Sequence, residues 1–330
     1  MADPRLSVVV RSFNRLPALC ELLALLLAQD HDSFEIVVID QSTERPTDAQ
    51  ARLDRLGGDP RLHVHHFPPL GGARARNEGV ARTRGEIVVF IDDDDLPVGA
   101  GFLAAMEASF TGPEILGVTC RHSWEDDRPI SFVYRALARR LCMRFSPLLR
   151  IPHNFPRHDE LVPRVDYVHG TGGAYRREVF ARVGGWDEDT PIEDETSLGL
   201  RLGAALRPGE RLVFDPRAHL RRRFDVAGGL GKRAQPPSGY FRRFMTFVHR
   251  VLGRYHPWRV RALYPLYVVT AWRWTVAWMW DDSPAHATVP RKLWGTLAFT
   301  ATLPAHALRS LGEPLGRRPG SGESLRARMG

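Results

Sequence analysis

Ile87-Val88-Val89-Phe90-Ile91-Asp92-Asp93-Asp94-Asp95 sets five apolar residues directly against four carboxylates. The first half is short, rich in β-branched side chains and free of polar residues, the pattern of a strand buried on both faces. The second half poses an electrostatic problem. Neighbouring charges a few ångströms apart repel by about 1 kcal/mol each even in water-like surroundings. A bound divalent cation would relieve that repulsion. In open α/β sheets, ligands gather at the carboxyl ends of the strands, where these aspartates would lie. A solvated acidic turn ahead of a helix is the alternative reading of the same residues.

Outward from this segment, strand and helix patterns alternate. Leu6–Val10, Phe34–Ile39 and Leu62–His66 read as strands; Pro17–Ala28, Thr47–Leu56 and Ala73–Arg82 read as helices. Their spacing predicts right-handed βαβ units and an α/β fold with a mostly parallel sheet flanked by helices. Ile115–Thr119 reads as a further strand, and residues 126–163 as an irregular insertion rich in Arg, Pro and His. Order resumes over Asp166–Tyr175, in a helix over Asp194–Leu206 and in a strand over Arg211–Phe214.

Charge divides the chain. Residues 1–215 hold 26 Lys and Arg against 33 Asp and Glu, net −7, whereas residues 216–330 hold 20 against 5, net +15. This predicts a catalytic head over residues 1–225, a basic, aromatic-rich helical extension over 226–315 and a disordered tail over 316–330. Cys20, Cys120 and Cys142 are widely spaced and odd in number, which suits neither a disulfide framework nor a zinc site. Met1–Arg5 lead straight into a strand without the apolar stretch of a signal peptide, so a cytoplasmic location is expected.

The segments that follow the strands fall on one edge of the sheet. Ser12, Asn14 and Arg15 follow the first strand, Asp40 ends the second, Arg74, Arg76 and Asn77 open a helix, and the aspartates end the fourth. A carboxylate there can accept hydrogen bonds from a base or ribose. Arginines and helix N-termini can meet a diphosphate, and Mg2+ or Mn2+ can bridge its oxygens to Asp92 and Asp94. Neither a G-x-x-x-x-G-K-[ST] phosphate loop nor a G-x-G-x-x-G after the first strand is present.

The ordered segments Val8–Arg15, Ile36–Thr43, Gly72–Gly79, Phe90–Leu96 and Gly184–Glu188 make the chain resemble family 2 glycosyltransferases over about residues 5–220. That resemblance implies a GT-A type fold, a nucleoside-diphosphate sugar donor, a divalent cation and a hexosyl-type transfer with inversion. The acceptor would be a glycan, lipid or small-molecule hydroxyl, as in cell-envelope polysaccharide synthesis. It also implies that Asp40 contacts the nucleobase or ribose and that Asp92-Asp93-Asp94 is the D-x-D motif, with Asp93 in the donor site. The chain departs from many members in having Gln41 where a second acid is common.

An inverting transfer needs a base for the acceptor hydroxyl. Glu193, Asp194 and Glu195 are the candidates, and the family register favours the pair Asp194/Glu195 without separating them. An acidic first turn of an ordinary helix is the competing reading. Gly172, Gly173 and Trp186 are expected at the acceptor site, where glycine lets backbone approach a ligand. In the extension, Ala262–Trp280 is interrupted by Pro265 and Arg273, so peripheral contact with an anionic membrane surface is expected rather than a span. Nucleic acid fits less well, since no recognised module accompanies the charge. A nucleotidyltransferase and a non-catalytic basic adaptor are the rival functions.

Overall fold

The computed structural model describes residues 3–124, 130–189, 194–223, 236–281 and 289–316, with Leu325 and Met329. Strands β1 (Leu6–Ser12), β2 (Phe34–Asp40), β3 (Leu62–His66) and β4 (Ile87–Asp92) alternate with helices α1 (Leu16–Leu27), α2 (Thr47–Leu56) and α3 (Gly72–Ala81). The four strands pair in parallel, with β1 between β2 and β4. The continuous apolar runs of β1, β2 and β4 follow from burial on both faces, whereas β3, at the sheet's edge, is mostly half-buried. Val8, Val10, Ile36, Val38, Val89 and Ile91 pack with Leu19, Leu22 and Leu26 of α1, while Val37 and Ile39 pack with Ala75 of α3 on the other side. Each such side chain removed from water contributes about 1.5–3 kcal/mol.

The chain continues through β5 (Asp95–Pro97), α4 (Phe102–Ala108), β6 (Ile115–Trp124), α5 (Phe132–Leu141), β7 (Arg144–Phe145), β8 (Pro152–His153) and β9 (Val162–Val165). After these come β10 (Gly173–Arg176), α6 (Glu178–Val183), α7 (Asp194–Ala205) and β11 (Arg211–Arg222). The sheet order is β3-β2-β1-β4-β10-β6-β11-β5, with β9 also on β11 and β7-β8 forming a separate pair. β10 enters antiparallel between β4 and β6, and β11 lies parallel to β6. This is a mixed, mostly parallel α/β sheet of GT-A type, as expected.

Three local expectations are revised. The supposedly irregular stretch 126–163 contains α5, whose Ser131 hydroxyl accepts a hydrogen bond from the Tyr134 N–H at 3.1 Å. Its apolar Phe132, Val133 and Leu137 are exposed and only Ala138 is buried, so no inward stripe announces the helix. Asp95 belongs to a strand rather than to a turn, pairing with Arg222 across β5 and β11. β11 runs well past Phe214 because a register shift between Asp215 and His219 lets it stay paired with β6.

Two compact units are present: residues 1–146, 151–228 and 320–330 form one, and residues 147–150 and 229–319 the other. The second holds α8 (Pro237–Phe247), a π-helical turn (Val248–Leu252), α9 (Gly253–Tyr255), α10 (Pro257–Ala262), α11 (Tyr264–Asp281) and α12 (Val289–Leu311). Among the described residues, no helix is long and apolar enough to cross a membrane. Most of the expected tail beyond residue 316 lies outside the described residues.

Candidate active site

The parallel register carries the ends of β1, β2 and β4 to one edge. Ser12 lies opposite Asp40, and Arg11 opposite Asp92. From there the aspartates are met by side chains far away in sequence. Arg11 Nε and Nη2 donate to the two Asp92 oxygens at 2.7 and 2.8 Å, and Arg76 Nη2 stands 3.7 Å from Asp92 Oδ1. Ser12 Oγ donates to Asp93 Oδ2 at 2.7 Å, while Arg15 Nη1 reaches Asp93 Oδ1 at 2.9 Å and Asp94 Oδ2 at 3.3 Å. Arg222 donates to both oxygens of Asp95 at 3.0 and 2.9 Å. The electrostatic problem posed by four successive acids is therefore met in large part by four arginines.

Compensation is uneven. Burial would raise the Asp92 carboxyl, but the Arg11 charge and hydrogen bonds, backed by Arg76 and Arg222, hold it well below the usual range. Burial pushes Asp93 up to about 6, against Arg15 and Ser12. Asp94 is also raised, by burial and then by the charges of Asp92 and Asp95. Its side chain keeps 26% of its surface exposed, the most accessible of these three. Oxygens of Asp92, Asp94 and Asp95 lie within 4.8 Å of one another. Three hard oxygen donors, one of them under-compensated and open to solvent, fit a divalent cation.

Thr171 joins these acids. Its hydroxyl donates to Asp95 Oδ2 at 2.8 Å and accepts from the Asp92 N–H at 3.0 Å. Asp95, Thr171 and Arg11 are additions to the site residues expected from sequence, and Arg222, which the sequence offers as a diphosphate contact or a solvated basic face, pairs instead with Asp95. Behind them the His122 and His169 rings meet edge-on with centroids 4.8 Å apart. Burial pushes His169 down to about 4 and holds His122 well below its ordinary value, so both are neutral near pH 7. Gly172 has φ +63, and a Cβ there would overlap His122 Nε2 and Cys120 Sγ, so the protein itself requires glycine at this point. Gly173 lies in β10 against the His169 carbonyl.

Several expected ligand contacts are occupied within the chain. The buried Asp40 carboxylate takes bonds from the Ser42 N–H at 2.9 Å and Arg45 Nη2 at 2.6 Å, with His66 Nδ1 at 3.1 Å. Asn14, at φ +54, accepts through Oδ1 from the Thr43 and Glu44 N–H groups and shapes that turn. Gln41 Oε1 accepts from the Leu70 and Gly71 N–H groups, fixing the loop that opens α3. Arg74 is about half exposed, 3.9 Å from Glu188.

Asn77 ties α3 to the Gly184–Glu188 segment: Nδ2 donates to the Trp186 carbonyl and to Glu188 Oε1, both at 2.9 Å, and Oδ1 accepts from the Trp186 N–H. Trp186 is buried, with Phe90 at 4.5 Å between ring centroids and the Arg76 guanidinium 5.8 Å over its ring. Arg201 of α7 donates to the carbonyls of Val183 and Gly185 and pairs with Asp187 at 3.4 Å. The Gly72–Gly79 and Gly184–Glu188 segments are thus clamped together by Asn77, with Arg201 also holding the second by its backbone.

Of the base candidates, Glu193 and the side chain of Asp194 lie outside the described residues. Glu195 stands at the start of α7. A Cβ added to Gly170 would sit 2.9 Å from Arg76 Nη2 and 3.5 Å from Glu195 Oε2, so Glu195 and the Arg76 that faces Asp92 flank one point. The acid cluster and this carboxylate belong to one neighbourhood.

The sheet order and the acidic edge are those of a GT-A type fold. The family model for glycosyl transferase family 2 matches residues 7–184, and the chain belongs to that family. A Rickettsia bellii uncharacterized glycosyltransferase is 33% identical over 97 residues, 29% of this chain and 14% of that protein. The pre-mycofactocin glycosyltransferase of Mycobacterium tuberculosis is 29% identical over 188 residues, 56% of this chain and 36% of that protein. The chain thus spans well under half the length of these relatives. The mannosyltransferase PcManGT from Pyrobaculum calidifontis, solved with GDP-Man and Mn2+, superposes with a TM-score of 0.53 at 20% identity, covering 94% of this chain and 88% of that one.

Proposed function

We propose that this glycosyltransferase moves a sugar from a nucleoside-diphosphate donor to a glycan, lipid or small-molecule hydroxyl, with inversion at the anomeric carbon. The observation that carries the reading is the meeting of Asp92, Asp94 and Asp95 within 4.8 Å, beside a point flanked by Arg76 and Glu195. Mn2+ or Mg2+, held by Asp92 and Asp94 with Asp95 behind them, would offset the charge of the departing diphosphate. The Pyrobaculum relative's complex with GDP-Man and Mn2+ supports that choice of donor class and ion.

Glu195 is the proposed base, with Asp194 as its neighbour in the same turn. It takes the acceptor hydroxyl proton as the acceptor oxygen bonds to the anomeric carbon and the bond to the diphosphate breaks on the opposite face. Ser12, Arg15 and Asp93 hold the floor of the donor site. Asp40 would read base or ribose once Arg45 yields its place. The basic extension is assigned peripheral contact with an anionic membrane surface. Donor turnover measured with and without Mn2+ tests the core of the reading: nucleoside diphosphate should be released only with the ion, and ion-independent release would refute the metal role.

A further inference from the structure

In the second unit α11 and α12 bury Tyr267, Ala271, Met279 and Phe299, yet they also expose a row of large apolar side chains. Polar side chains also join the two helices: Trp272 Nε1 donates to Thr300 Oγ1 at 2.9 Å and Trp280 Nε1 to Thr296 Oγ1 at 3.2 Å, both at the exposed seam, and the part-buried Tyr264 hydroxyl donates to the Ala307 carbonyl at 2.6 Å. Ser310, against the same Tyr264 hydroxyl, is buried. Meanwhile apolar side chains face outward. Leu293, Trp294, Leu297 and Leu308 of α12 are 49–73% exposed, and Val269 and Trp274 of α11 are 57% and 56% exposed. A helix pair facing water would do the opposite. Hydroxyls bonded between helices with leucines turned out is the arrangement suited to a hydrocarbon environment.

Charge selects the occupant. Residues 229–319 carry 14 Lys and Arg against 3 Asp and Glu. A second copy would bring the same positive sign to the face, whereas anionic headgroups bring the opposite one. Neither helix is long and apolar enough to cross a bilayer. We infer that the outward face of α11 and α12 lies in the surface layer of an anionic phospholipid bilayer, with its leucines and indoles inserted and the surrounding arginines at the headgroups. This names the face responsible for the peripheral contact proposed above and rests on that proposal.

The test is co-sedimentation of the full chain with vesicles of phosphatidylglycerol and phosphatidylcholine, against vesicles of phosphatidylcholine alone. The wild-type chain should bind the anionic vesicles and be released by high salt. Leu293→Ser/Leu297→Ser/Leu308→Ser should lower the bound-to-free ratio at least tenfold, with an unchanged far-ultraviolet circular dichroism spectrum and thermal midpoint. Phe132→Ser/Val133→Ser/Leu137→Ser, which alters equally exposed residues of α5, should leave it within twofold. Failure of the wild-type chain to bind overturns membrane contact itself, and oligonucleotide binding in its place would reassign the extension. Wild-type binding that survives the α12 substitutions, or falls equally with the α5 ones, overturns only the face.

Discussion

Asp94 differs from its neighbours in being both accessible and under-compensated, with its carboxyl raised by burial and by the charges of Asp92 and Asp95. Asp94→Ala should therefore abolish Mn2+-dependent donor turnover while leaving the fold intact, because no buried arginine loses its main partner. Thr171→Val removes the hydroxyl that bridges the Asp92 N–H and Asp95. It is expected to raise the half-saturating Mn2+ concentration by about 10–100-fold, the usual cost of losing an outer partner of a metal ligand. For the base, Glu195→Gln should bind donor normally and lose about 10²–10⁴-fold in transfer. Asp194→Asn measured alongside should lose much less; the reverse ranking would move the role to Asp194. The aspartates announce themselves in sequence because four adjacent acids after a buried strand are hard to explain otherwise. Arg11 does not, since arginine is abundant throughout the chain.

At the level of elements, the sheet edge is tied together by buried polar groups at the opposite ends of the same strands. Glu35 on β2 accepts from Ser7 Oγ of β1 at 2.7 Å and from the Arg84 backbone and guanidinium before β4. Burial alone would raise its carboxyl, but these bonds hold it below the ordinary value. A group depressed in this way contributes stability above its unfolded value and loses it as the pH falls through the folded one. Glu35→Gln should therefore cost about 1–3 kcal/mol in denaturant unfolding at neutral pH. The deficit should shrink as the pH drops below about 4.3, the ordinary glutamate value. Strands β1, β2 and β4 are legible in the sequence because both of their faces are apolar. Helix α5 is not, because its large apolar residues point away from the core and leave no inward periodicity.

For the whole molecule, donor and ion should act together on stability. A ligand that binds only the folded chain adds about 2.7 kcal/mol at one hundred times its dissociation constant. Thermal shift with nucleoside diphosphates is then expected to raise the midpoint by a few degrees only when Mn2+ is also present. A shift with nucleotide alone would mean that the arginines, rather than an ion, meet the diphosphate. The acidic character of residues 1–215 and the net positive charge of residues 216–330 are properties of the sequence alone.

Local order and composition determined the family, the alternating architecture and the acidic edge, since burial period and clustered charge are properties of neighbouring residues. Only the tertiary structure decided which arginines neutralise which aspartates, that the Thr171 hydroxyl bridges Asp92 and Asp95, and that α11 and α12 turn leucines outward. Those outcomes depend on pairings between residues far apart along the chain, and separation in sequence carries no record of where a side chain will point.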